Sequence, residues 1–345
     1  MMDAVPANLR LAVSPGQLLL ENAPKEARPA GWARLKVLAC GICGTDLHLL
    51  HGMKLPIGAA YPIFPGHEVA AEVIEADPGC GPQPGSRVVL HPLLTCGRCQ
   101  ECISGRENHC ASGEMLGVHR AGGLAQEMIW RSDRLVPADD LDPQQAALLP
   151  DAVATAFHAL RRSNLPQGGK LAVIGSGGVG TNILQISRAL DPAVTLVAVV
   201  NSEGTARRIS ELGIPVIHGL EGAGRACKAD FGEMDAVIDF SGAEAAPNEA
   251  IRMLRKGGRL VLGSVRDERV SLATSYTGLM TREIEIVGSY SSTLSDLRAV
   301  TELVRSGQLS LAGLVTHIFA LEEAEQAFAV LEQRPAGMVR VVVTA

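Results

Sequence analysis

The chain has 345 residues, 47% of them apolar, and a formal net charge of -6. That length argues for two domains with their own cores and excludes a disordered chain. The acidic balance and the lack of a polybasic run give no reason to expect a nucleic-acid partner. Apolar runs such as "LVAVV" at 196–200 are far too short to span a bilayer. No basic segment followed by an apolar core opens the N-terminus, so a cytoplasmic, non-membrane protein is expected.

In chain order, "ARLKVLACGIC" reads as a strand that runs into "CGICGTDLH", Cys40 to His48. Two cysteines, an Asp and a His hinged on glycines could be a metal site, a redox pair or a loop. Cys43 is a candidate ligand for a zinc with an open position, the kind that does chemistry. His67, in "FPGHEV", is the next candidate. A lone His is more often a structural residue. Here the following "EVAAEVIEA" reads as a strand that can bring the His67 loop beside the Cys43 loop. Cys96, Cys99, Cys102 and Cys110 then follow the pattern C-x2-C-x2-C-x7-C. Four thiolates on one short lobe close a tetrahedron around a structural zinc. The rivals are an iron–sulfur cluster and a set of free cysteines. Buried free Cys favours apolar neighbours, and this lobe is polar.

The second half has a different character. "KLAVIGSGGVG" is an apolar strand running into Gly175, Gly177, Gly178, Val179 and Gly180, followed by a helical segment and the strand "TLVAVV". The glycine pattern inside a βαβ unit is the context in which it signals a dinucleotide: the backbone approaches a pyrophosphate at a helix N-terminus. "MDAVIDFSG", "GRLVLGSV" and "EIEIVGSY" read as further strands of a doubly wound parallel sheet.

These motifs occur in the order "GICGTDLH", "GHE", the four-Cys lobe, "GSGGVG" and "GMVRVVV". In that order, over nearly the whole chain, the sequence resembles the zinc-dependent medium-chain alcohol dehydrogenases. The resemblance implies an α/β chain in three parts: a GroES-like β-rich catalytic domain over 1–152 with both zinc sites, a Rossmann domain over 153–292, and a C-terminal segment over 293–345 that returns to the catalytic domain. It supplies a third ligand for the open zinc, Asp151 in "LLPDAVATAFHAL", with Thr155 near the nicotinamide. A carboxylate in place of the family's more familiar Cys donates less charge to the metal. Two zinc ions per subunit follow. Thr45 and His48 match the family's proton relay, Glu68 lies near the metal, and Asp46 orients His67. Arg340 matches an arginine that contacts the cofactor pyrophosphate.

The implied activity is reversible hydride transfer between an alcohol at the zinc, secondary or polyol-type, and NAD(P). The alternatives are an NADPH-dependent aldehyde reductase of the cinnamyl-alcohol-dehydrogenase type and a zinc-independent quinone-reductase-like enzyme. A non-enzymatic nucleotide-binding relative is the third. The complete metal set argues against the last two. The substrate is a small alcohol or carbonyl compound. Its pocket is expected from segments 48–55, 91–95, 115–119 and 264–290, including His51, His91, Leu94, Met115 and His119. With only two Trp, three Tyr and six Phe, a bulky aryl substrate is disfavoured. No acid ends the second Rossmann strand, where Val200 and Asn201 stand; Ser202, Arg207 and Arg208 follow, a pattern that favours NADP over NAD. Bacterial-length chains of the family are usually tetramers, so a homotetramer is expected, with the edge near "EIEIVGSY" pairing between subunits.

Overall fold

A computed structural model describes residues 7–265 and 269–345. The chain divides into two compact units, Met1–Ala154 with Ser292–Ala345, and Thr155–Ser291. No helix among the described residues is long and apolar enough to cross a membrane.

The first unit is built on a mixed seven-stranded sheet. Its order is Val315–Ala320, Arg340–Thr344, Trp32–Ile42, Glu68–Glu75, Arg87–Leu90 and Leu135–Pro137, with Glu127–Arg131 also paired to Trp32–Ile42. The central strand alternates: Ala33, Leu35 and Val37 are buried while Lys36 is exposed. Its last four residues, Ala39 to Ile42, are all buried. Leu35, Val37, Val69, Val73, Leu90, Trp130, Phe328 and Val341 join one core. Trp130 and Trp32 meet edge to face, with ring centroids 6.1 Å apart, and the Trp130 indole N–H donates to the His91 carbonyl at 3.0 Å.

The register decides what gathers at one end of this sheet. Trp32–Ile42 runs antiparallel to both neighbours, so its exit lies beside their entrances. Gly41 faces Glu68 on one side and Val342 on the other, and Ile42 faces Val341. The residues just outside those pairs, Cys43, His67 and Arg340, are therefore delivered to the same sheet end.

The second unit is a six-stranded sheet, parallel throughout, in the order Val216–His218, Thr195–Val200, Lys170–Ile174, Met234–Asp239, Leu254–Leu262 and Glu285–Gly288. The inner strands are continuous apolar runs because helices cover both faces. The winding reverses between Lys170–Ile174 and Met234–Asp239, and the glycine-rich turn lies at that switch point. The Gly178–Leu190 helix follows the first strand.

Three of the four glycines of the turn have different reasons. Gly175 takes φ +87°, and a Cβ there would come within 2.6 Å of the Ser241 Cα. A Cβ on Gly180 would overlap the Gly175 carbonyl oxygen, whereas one on Gly177 meets no protein atom within 4 Å. Two glycines are thus required by internal packing, and the third leaves an open face. Gly180→Ala should lower the stability of the nucleotide-free protein by about 1–3 kcal/mol, the usual cost of overpacking. Gly177→Ala should cost no more than about 1 kcal/mol, the scale of a helix N-cap change. Thermal or urea melts giving equal losses would show that the turn relaxes around both.

Candidate metal and nucleotide sites

Cys43 follows the buried end of the central strand and caps the short Gly44–Leu50 helix. Its backbone N–H donates to Asp46 Oδ2 at 2.9 Å, and its Sγ accepts from the Thr45 N–H at 3.4 Å. This reciprocal cap fixes the direction of the thiol. Cys40, three residues earlier, stays in the strand, buried against Gly66. His67 follows Gly66, whose φ of +101° and close approach to Cys40 and the 123–124 backbone exclude a side chain. Asp151 lies on a single π-helical turn, Leu149–Val153, closed by a bond from Val153 N–H to the Leu148 carbonyl. Such widened turns recur at functional sites.

Three donor atoms converge at this point. His67 Nε2 is 3.2 Å from Cys43 Sγ and 3.6 Å from Asp151 Oδ2. Zinc bonds of about 2.0–2.3 Å at tetrahedral angles place neighbouring donors about 3.3–3.7 Å apart, so the set matches a zinc shell. Glu68 brings a carboxylate oxygen to the same group. Burial raises the Cys43 thiol, while His67 pulls it down. Burial also works against a charged His67, but Cys43, Asp46 and Asp151 overcome it and hold the imidazole well above its usual range. A metal arriving here displaces protons from the set. His67 Nδ1 and Asp46 Oδ1 stand 3.9 Å apart, both buried and without a hydrogen-bond partner. The Asp46 carboxylate therefore bonds the Cys43 backbone rather than the imidazole.

The four cysteines of the lobe also converge. Cys96 and Cys102 sulfurs are 3.8 Å apart, Cys99 and Cys102 3.5 Å, and Cys99 and Cys110 4.0 Å. Sulfurs around a tetrahedral zinc stand about 3.8 Å apart. The backbone N–H of Cys99 donates to Cys96 Sγ and that of Cys96 to Cys110 Sγ. Backbone donors at Arg98 and Cys99 lower the Cys96 thiol to about 6, toward the thiolate a metal needs.

Glu68 and Arg340 were expected in separate roles, near the metal and at the cofactor. The structure joins them: Arg340 Nη2 contacts both Glu68 carboxylate oxygens in a buried pair. A Cβ at Gly41 would overlap Glu68 Oε2, so the glycine makes room for the carboxylate. A glycine inside a strand signals such an approach, and "ACGIC" carried that signal. Burial pushes the Glu68 carboxyl up to about 7, against the downward pull of Arg340. Burial opposes the Arg340 charge as well, but Glu68 and then Cys43 hold the guanidinium above its ordinary range.

Thr45 is half-buried and His48 exposed, three residues on along the same short helix. Of the expected substrate-pocket residues, two are otherwise engaged. His91 is fully buried, with Nε2 3.1 Å from the Ser292 carbonyl, and desolvation lowers it to about 4. His51 pairs with Glu332 at 2.8 Å. Leu94 belongs to the core and Met115 packs against it, while His119 accepts from the Met115 N–H. Within the expected 264–290 segment, residues 266–268 lie outside the described residues.

In the second unit, Thr155 is buried in the first turn of the Ala154–Ser163 helix. Gly178 and Val179 form the first turn of Gly178–Leu190, whose N-cap Gly177 offers no side-chain cap. Val200 ends its strand, and Asn201 and Ser202 are exposed. Ser202 Oγ caps the next helix, accepting from the Thr205 N–H at 3.3 Å. Arg207 faces solvent. Arg208, expected with Arg207 near a 2′-phosphate, instead turns inward onto the glycine-rich loop.

Comparison with known proteins agrees with both units. Residues 29–140 match the alcohol dehydrogenase GroES-like domain, and residues 178–306 match the zinc-binding dehydrogenase domain. The chain is 32% identical to D-arabinitol dehydrogenase 1 of Uromyces fabae, over 85% of this chain and 84% of that one. It is 31% identical to L-galactonate-5-dehydrogenase of Escherichia coli (strain K12), over 83% of each. A solved structure described as a zinc-binding dehydrogenase of Sinorhizobium meliloti 1021 bound to NADP is 27% identical. It superposes with a TM-score of 0.86 over 99% of this chain and 100% of that one.

Removing the Glu68 charge leaves Arg340 buried without its partner. Glu68→Gln should cost about 3–5 kcal/mol of stability in the metal-free protein, measured by urea denaturation. A loss below about 1 kcal/mol would mean that water reaches the pair and screens it.

Proposed function

The chain belongs to the zinc-dependent medium-chain dehydrogenases of the alcohol dehydrogenase type, and on that premise we propose that it oxidises a secondary hydroxyl of a polyol or sugar acid, reversibly, with NADP as the acceptor. The observation that carries the reading is the convergence of Cys43 Sγ, His67 Nε2 and the Asp151 carboxylate at one sheet end. The substrate class is supported by relatives named for polyhydroxylated compounds: L-galactonate-5-dehydrogenase, D-arabinitol dehydrogenase 1 and the 26%-identical sorbitol dehydrogenase of Halalkalibacterium halodurans.

In this reading Cys43, His67 and Asp151 hold the catalytic zinc, and Cys96, Cys99, Cys102 and Cys110 a structural one. Bound zinc supplies a Lewis acid that polarises an alcohol oxygen and lowers its pKa. A nicotinamide cofactor, when bound, would supply the acceptor for the hydride of the carbinol carbon. Thr45 Oγ1 takes up the hydroxyl proton, and the exposed His48 releases it to water. Asp46 holds Cys43 in position through its backbone. Glu68, held by Arg340, places a carboxylate beside the ligand set. Gly175, Gly177, Gly178, Val179 and Gly180 receive the pyrophosphate, Thr155 adjoins the nicotinamide, and Asn201, Ser202 and Arg207 surround the adenosine ribose. The Glu285–Gly288 edge strand is paired on one side only among the described residues, which supports pairing of two subunits through that edge within a homotetramer. Light scattering should accordingly give four subunits; a monomer at micromolar concentration would remove that part.

Elemental analysis should return two zinc ions per subunit. Cys43→Ala should keep one of them, lose turnover and remain folded. Cys99→Ala should lose the structural zinc that Cys43→Ala keeps and unfold more readily, because a closed zinc site is part of the folding free energy. Protein purified without zinc and still turning over alcohol would end the mechanism.

Cofactor choice is tested by initial rates. The absence of a carboxylate at Val200 removes the charge that would repel a 2′-phosphate. kcat/KM should be higher with NADP than with NAD, and the reverse order would refute the reading of Val200, Asn201 and Ser202.

A further inference from the structure

Arg208 has no role in the function proposed above, yet it holds the Ser176–Gly177 peptide of the glycine-rich loop. Its Nη2 donates to the Ser176 carbonyl at 2.9 Å and to Thr181 Oγ1 at 3.2 Å. Thr181 Oγ1 itself donates to the same carbonyl at 3.0 Å. Ser176 and Thr181 are buried. Among the described residues no carboxylate pairs with Arg208, and its Nε is buried without a hydrogen-bond partner. Burial pulls its pKa down, so keeping the charge there is a cost that nothing in the loop itself requires.

The peptide joining Ser176 to Gly177 is planar and trans, so its carbonyl and its N–H point in opposite directions. Two donors pull the Ser176 carbonyl back toward Arg208. The Gly177 N–H is therefore turned away from them. A Cβ at Gly177 would meet no protein atom. The Gly178–Leu190 helix begins there with no side-chain cap, its first N–H groups available to an anion.

We propose that Arg208 is a positioning residue for cofactor binding. It locks the Ser176–Gly177 peptide in the orientation that aims the Gly177 N–H at the dinucleotide's diphosphate, and it stands behind the cradle as an unpaired positive charge. The proposal rests on the nucleotide reading of this unit. It distinguishes Arg208 from a 2′-phosphate contact, because the diphosphate is common to NAD and NADP. Lysine at this position keeps the charge and can make a single bond; methionine does neither. Thr181→Val removes only the second donor.

The test is calorimetric titration with ADP-ribose, with adenosine as a control that lacks the diphosphate. Wild type should bind ADP-ribose. Arg208→Met should weaken that binding by about tenfold or more, the scale of a lost charge-assisted hydrogen bond. Arg208→Lys should fall between, and Thr181→Val should shift affinity the same way by less. Adenosine affinity should not change. In turnover, KM should rise equally for both dinucleotides, with kcat at saturating cofactor and the alcohol KM unchanged. Unchanged ADP-ribose affinity in Arg208→Met, a loss confined to NADP, or an equal loss for adenosine would each overturn the proposal. Should Arg208→Met fail to fold, Thr181→Val carries the same comparison. A wild-type protein that binds no ADP-ribose would instead overturn the nucleotide reading itself.

Discussion

Antiparallel pairing on both sides of the Trp32–Ile42 strand is the constraint from which the candidate metal site follows. The strand's exit abuts the entrance of Glu68–Glu75 on one side and of Arg340–Thr344 on the other. Three segments remote in sequence thereby present Cys43, His67 with Glu68, and Arg340 at one sheet end. A slip of one residue in either pairing would turn those side chains to the other face. Gly41 sits at the centre of this arrangement, and the Glu68 carboxylate folds across it. The absence of one Cβ lets a strand pair and an ion pair occupy the same space.

Charge explains why such a cluster suits a cation. Three carboxylates, Asp46, Glu68 and Asp151, and one thiol meet Arg340 and His67 in a mostly buried setting. Without further positive charge, burial drives a proton onto the thiol, while Cys43, Asp46 and Asp151 hold one on the imidazole against its own desolvation. A divalent ion replaces those protons and balances the acids. The Glu68–Arg340 pair supplies part of the balance inside the protein and stays next to the ligands. The four-Cys lobe meets the same requirement differently. There the thiols are near the surface, and backbone N–H groups offset the charge on sulfur.

The nucleotide unit divides its glycines between packing and access. Gly175 and Gly180 let strand, turn and helix close on one another, and Gly177 leaves a face open. Carbonyls of such a turn must point away from an anion. In this chain that orientation is held by side chains, Thr181 from the following helix and Arg208 from the next one.

Sequence alone determined what is local. The four cysteines lie so close along the chain that their convergence needs no long-range pairing. The glycine-rich turn is readable because an apolar strand precedes it and a helix follows, and the parallel sheet is readable from its repeated apolar runs. Asp151 has no spacing that links it to Cys43 or His67, and only resemblance to a family drew attention to it. The tertiary structure decided the rest, because it depends on register and on side-chain direction. Pairing on both flanks of one strand put Arg340 on Glu68. Burial made His91 a core residue bonded to backbone rather than a pocket wall. The turn of one helix sent Arg208 inward and left its neighbour Arg207 in solvent. Adjacent arginines are equivalent in a sequence, but on a helix they are rotated by about 100°, and the packing of that helix chooses between them.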